Sequence, residues 1–137
     1  MILALLILIP AIGGLAAFFI SHVFTRRALL VTTAVTHAAL TVSCWFQRPG
    51  PILYKWLALD APGLLFMTVS SVLFLAASIY AIAYLRNEPK EQQDSDEGFF
   101  FSNTPENIFI ACLQLFLAAM TLVCASHHFG MLWVAIE

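Results

Sequence analysis

Charge is what this chain most lacks. Asp, Glu, Lys and Arg make up only 10% of its 137 residues, against about 25% in an average soluble domain. Six basic and eight acidic side chains leave a net charge of −2, with no basic stripe to neutralise phosphates, which argues against nucleic acid as a partner. Cysteine is scarce too. Cys44, Cys112 and Cys124 are odd in number, lie in apolar stretches and lack close CxxC spacing, so neither a disulfide framework nor a zinc box follows. They read as small buried apolar residues. No nucleophile–base pair, metal box or cofactor loop can be found, which gives little support to an independent enzyme and predicts no cofactor and no metal. A basic segment ahead of the first apolar run is also missing. That run is nearly twice a signal peptide's core, so it reads as a retained span.

Apolar residues fill the space that charge leaves, at 61% of the chain. A helix needs about 20 mainly apolar residues to cross about 30 Å of hydrocarbon, because backbone polar groups there must be satisfied internally. Four stretches have that length: residues 2–24, 28–46, 62–85 and 107–126. A fifth apolar run occupies residues 129–137. The fold class is therefore read as an all-α polytopic membrane protein, four transmembrane helices plus the start of a fifth, forming one incomplete domain over residues 1–137. Gln47-Arg48-Pro49-Gly50-Pro51 separates the second and third spans, and its prolines and glycine end the helix. Between the third and fourth lies the polar stretch RNEPKEQQDSDEGFFFSNTPEN, which suits a solvated loop. Thr104-Pro105-Glu106 reads as a helix start, with a capping hydroxyl, a first-turn proline and a carboxylate at the positive dipole end. Pro62 opens the third helix in the same way.

Basic residues near span ends are retained on the cytoplasmic side. The first and third connections hold Arg26, Arg27, Arg86 and Lys90 and the second holds Arg48 and Lys55, which favours an N-terminus outside the plasma (inner) membrane. Glu137 then lies about 10 Å into the bilayer from Gly130, at about 1.5 Å per residue. An ionisable side chain at that depth is expensive and faces a bundle interior, a water path or a partner. Low dielectric favours its neutral form and a nearby ammonium its charged form, so such a carboxyl can load and release a proton as the partner moves. The competing reading is that Glu137 merely ends the chain in water. His37, mid-span between Thr36 and Ala38, is a candidate proton relay; the plainer reading is a neutral imidazole bonded to a neighbouring helix. His127 and His128 point about 100° apart on a helix, which disfavours a shared metal ion. They suit the interface or a channel mouth, and His22 a headgroup-level position. Pro10, Gly13 and Gly14 could bend the first helix, though close packing is the commoner use. Trp45, Tyr54 and Trp56 suit an aromatic belt. Phe99, Phe100 and Phe101 could touch the interface or a neighbouring subunit, and Glu91, Asp94, Asp96 and Glu97 read as a solvated acidic run.

Trp133-Val134-Ala135-Ile136-Glu137 resembles the run into the fifth helix of the antiporter-like subunits shared by respiratory complex I, multisubunit cation/proton antiporters and membrane-bound group 4 hydrogenases. Its form is most similar to the F component of hydrogenase-4. Leu57-Ala58-Leu59-Asp60-Ala61-Pro62-Gly63-Leu64-Leu65-Phe66 resembles the aspartate-bearing approach to the family's third helix, and Tyr80-Ala81-Ile82-Ala83-Tyr84-Leu85-Arg86 its tyrosine-rich exit. Pro62 departs from the small residue usual after that aspartate. The resemblance implies a proton-translocating subunit without a redox group of its own, partnered by the bilayer and by other membrane and peripheral subunits. It also implies that Glu137 couples to a lysine on a later helix. Lys55 and Lys90, the only lysines, fall in connections. The resemblance therefore predicts part of a longer subunit, or one half of a split one. A subunit of a multisubunit cation/proton antiporter and a short membrane scaffold are the competing functions.

Overall fold

The computed structural model describes residues 1–87 and 105–137. They form α1 (Ile2–Phe19), α2 (Val23–Phe46), α3 (Ala61–Asn87), α4 (Pro105–Ala125) and α5 (Phe129–Ile136). Among the described residues there is no strand beyond two isolated bridges, Ile52 to Leu57 and Leu57 to Ser126. The first four helices are each long and apolar enough to cross a membrane. They run alternately up and down in a square, α1 against α2, α2 against α3, α3 against α4 and α4 back against α1. Among the described residues only the α2–α4 diagonal makes contact, so these two helices meet at the centre.

The sequence expectation of a first span to residue 24 and a second from residue 28 is corrected. α1 stops at Phe19 and α2 begins at Val23, so Arg26 and Arg27 lie in the first turns of a helix and not in a connection. Hydrogen bonding explains the shift. Arg26 Nη1 donates to the Ile20 carbonyl at 3.1 Å, covering the end of α1, and Arg27 pairs with Glu106 across the bundle. His22 takes the N-cap position of α2, without a side-chain cap bond. Pro62 does stand in the first turn of α3, but the cap is Asp60, whose Oδ1 accepts from Gly63 N at 2.8 Å. A carboxylate there satisfies a free N–H at the positive end of the helix dipole. Pro105 is the first residue of α4. Thr104, Lys90, the acidic run and the phenylalanine triplet lie outside the described residues.

Close packing, not bending, is the use made of the small residues in α1. Pro10 is buried within a continuous helix, and a Cβ on Gly14 would come within 2.8 Å of Leu115 and 3.1 Å of the Ala111 carbonyl. Glycine lets α1 and α4 approach to backbone distance. The cysteines are not uniformly buried, contrary to the sequence reading: Cys44 is buried, Cys124 half-buried and Cys112 exposed on the outer face of α4. That outer surface is largely apolar, and the exposed Thr32 and Ser43 of α2 bond back to carbonyls of their own helix. Leu5, Leu8, Ile12 and Leu15 on α1, and Leu65, Phe66, Val69, Val72 and Leu73 on α3, all point outward.

The interior apolar side chains form two clusters. One gathers Leu3, Leu6, Cys44, Leu57, Leu59, Leu64, Met67 and Ala125 at the end where α1 begins. The other gathers Ala17, Leu30, Ala34, Phe74, Ile110, Ala111 and Leu117 toward the end that carries Arg26, Arg27 and Glu106. A polar layer separates them.

Candidate functional site

Helical periodicity assembles that layer. On α2 the buried residues Arg26, Leu30, Thr33, Ala34, His37, Thr41 and Cys44 repeat every three or four positions, so they line one face. His37 occupies its middle, 1% exposed. Ser71 on α3 and Thr121 on α4 reach the ring from either side: Ser71 Oγ lies 2.8 Å from Nδ1 and Thr121 Oγ1 2.9 Å from Nε2. Thr41, one turn along α2, lies 3.0 Å from Ser71 Oγ. Three helices thus converge on one imidazole.

The hydroxyl directions follow from their carbonyl partners, which can only accept. Thr121 donates to the Leu117 carbonyl at 2.7 Å, and Thr41 to the His37 carbonyl at 2.9 Å. Each hydroxyl owns one proton. Thr121 must therefore accept from Nε2–H, and Thr41 must accept from Ser71. Ser71 has then spent its proton and must accept from Nδ1–H. Five contacts require five protons, and three hydroxyls plus a neutral ring supply four. Only the doubly protonated ring makes every contact a hydrogen bond; in the neutral ring Ser71 turns to donate to Nδ1 and its contact with Thr41 is left without a proton. One hydroxyl rotation separates the two states, with no heavy atom moved. An ion in apolar surroundings is costly, so the neutral ring, with one contact left without a proton, is the favoured state.

At the Arg-bearing end an ion cluster closes the bundle. Arg27 Nε and Nη2 reach the two oxygens of Glu106 at 2.8 Å and 3.0 Å, a bidentate pair. Arg26 Nη2 stands 3.5 Å from Glu106 Oε1, and Arg27 also donates to the Leu85 carbonyl at 3.0 Å. The ion pair ties α2 to α4 and the carbonyl contact ties α2 to α3. Sequence reading gave Glu106 only a helix-dipole role, because its partners Arg27 and Arg26 are 79 and 80 residues away.

His127 and His128 hold the connection before α5. His128 Nδ1 accepts from Gly130 N at 3.1 Å and its ring stacks on Trp56 at 4.7 Å, while His127 N donates to the Trp56 carbonyl at 2.8 Å. Among the described residues no cluster of His, Cys, Asp or Glu has the arrangement to bind a metal ion. Glu137 follows α5 as its C-cap, its own N–H bonded to the Trp133 carbonyl at 3.1 Å, and its side chain is exposed. The two sequence candidates are therefore not brought together: His37 lies in the middle of the bundle, and Glu137 at its edge beside α4. Sequence reading missed Ser71, Thr121, Thr41 and Gln114 as interior polar residues. Their signal was available in part, as polar side chains at helical spacing inside apolar runs.

No family model, no curated protein and no solved structure matches the chain.

Proposed function

We propose that the chain is a membrane-embedded subunit that moves protons. The observation that carries this is His37, a titratable ring fixed at both nitrogens by hydroxyls of two other helices inside a bundle with an apolar outer surface. Apolar outside and polar inside is the arrangement that hydrocarbon rewards and water does not. With the arginine-bearing end (Arg26, Arg27 and Arg86) facing the cytoplasm, the N-terminus lies outside the plasma membrane.

The sequence resemblance refines this to an antiporter-like component of a membrane-bound hydrogenase or NADH:quinone oxidoreductase-type complex, most similar to the F component of hydrogenase-4. In that reading Glu137 is the carboxyl that switches with a lysine supplied elsewhere, and redox chemistry on other subunits drives it. A multisubunit cation/proton antiporter is the second reading, since both classes share the Trp133 to Glu137 pattern. Vesicles carrying the assembled complex separate these from a scaffold. His37→Gln keeps hydrogen-bonding groups but cannot hold a second proton, and Glu137→Gln removes the switching charge; both suppress proton uptake. Unchanged uptake in both variants would overturn the proposal, and uptake driven by a sodium gradient without a redox substrate would favour the antiporter class.

A further inference from the structure

Among the described residues, four buried polar atoms lack a hydrogen-bond partner: Arg26 Nε, Asn107 Oδ1, and both Nε2 and Oε1 of Gln114. All lie on one side of His37. Gln114 is 0% exposed, and an unpaired amide in such a place carries the full cost of its lost hydration. Its Oε1 and the Thr33 hydroxyl both border Gly13, the point where α1 lacks a Cβ. The spacing continues the line. Arg26 and Asn107 each precede Thr33 and Gln114 by seven residues, two helical turns, on facing helices. Beyond them, Thr33 leads to His37 in four residues and Gln114 to Thr121 in seven.

We propose that a file of ordered water runs between α2 and α4 from the Arg26–Glu106 cluster, past Gln114, to His37. Eleven residues separate Arg26 from His37, about 16 Å at about 1.5 Å per residue, a span bridged by a short chain of waters. Buried water binds where two or more polar groups are otherwise unsatisfied, and Gln114 offers two donors and an acceptor there. The apolar cluster on the other side, around Leu64 and Met67, contributes no unpaired polar atom. Protons therefore reach His37 from the Arg26 end alone. This deepens the reading of His37 as a proton carrier and takes its purpose from it, while the hydration stands on Gln114 itself.

Pulsed X-ray hydroxyl-radical footprinting of the full chain in its native membrane tests this, because radicals formed from internal water oxidise the side chains beside it. Label is expected on buried Leu30, Phe74 and Leu117 in the wild type and absent from buried Met67, although methionine is intrinsically the more reactive. Gln114→Leu should lose the label on those three. An unlabelled Leu30, Phe74 and Leu117 in the wild type would overturn the water file whether or not the variant folds, and so would Met67 labelled as strongly as they are. Because no transport is read, label in the wild type together with unimpaired proton uptake by His37→Gln would keep the file and remove the proton-carrier reading.

Discussion

The two halves of the bundle interior differ in kind. From Leu3 and Cys44 to Ala125 the first half is a conventional packed core closed by apolar side chains. The half between His37 and Arg26 has an apolar cluster of similar size, yet it also holds Thr33, Ser78, Gln114 and Arg26, all buried. Ser78 disposes of its proton on the Phe74 carbonyl at 2.7 Å; the amide of Gln114 has no such outlet among the described residues. A helix backbone satisfies itself, so a hydroxyl can lean back on its own helix and remain silent. A carboxamide with two donors cannot. One half thus stabilises the assembly by packing alone, and the other carries polar groups that packing does not explain.

Stability measurements on the purified chain in mixed micelles can break that contrast, and the largest effect is expected in the first half. Leu64→Ala there should cost about 3 kcal/mol, because the cavity stays empty between apolar walls. Leu117→Ala in the other half should cost less, about 2 kcal/mol, since the ordered water proposed beside Gln114 can extend into the new cavity. Equal losses would show that the halves do not differ. Glu106→Gln should cost about 2 kcal/mol, between an exposed pair and a fully buried one, by leaving Arg26 and Arg27 without a counter-charge. High salt should not mimic that loss, as Arg26 is buried.

Smaller effects sharpen the polar layer between the halves. Ser71→Ala removes one proton and two contacts, so three contacts remain for three protons with a neutral ring. The variant should lose about 1 kcal/mol and hold His37 as the Nε2–H tautomer, visible in its ring nitrogen-15 shifts. The neutral wild-type ring is the same tautomer, so only the Nδ1 shift should move, through loss of its hydroxyl donor, and an Nδ1–H ring in the variant would contradict the proton count. The smallest change is expected on the outer face. Cys112→Val should lie within about 0.5 kcal/mol of the wild type, and a larger loss would mean that this face is covered by another chain.

Much of the fold was legible from hydropathy alone. A run of twenty apolar residues has few ways to satisfy its backbone other than a helix, and the four long helices follow from that constraint. Their ends were less legible. Arg26 and Arg27 read as connection residues because charge usually ends an apolar span; they continue α2 because Ile20 and Glu106 accept their protons. The candidate site was legible only as a residue, His37 in the middle of a span, with the plainer hydrogen-bonded reading open beside it. Its partners come from 34 and 84 residues away, and no local pattern announces such distances.

What the sequence determined by itself is therefore the set of apolar helices and which face of each is polar, because both depend on neighbours within a turn or two. Only the tertiary structure decided that the polar faces of α2, α3 and α4 meet at one level, that Glu106 neutralises Arg27, and that the Gln114 amide meets no protein partner among the described residues. These depend on how helices dozens of residues apart align along their axes. That alignment is set by packing such as Gly14 against Leu115, which no single helix encodes.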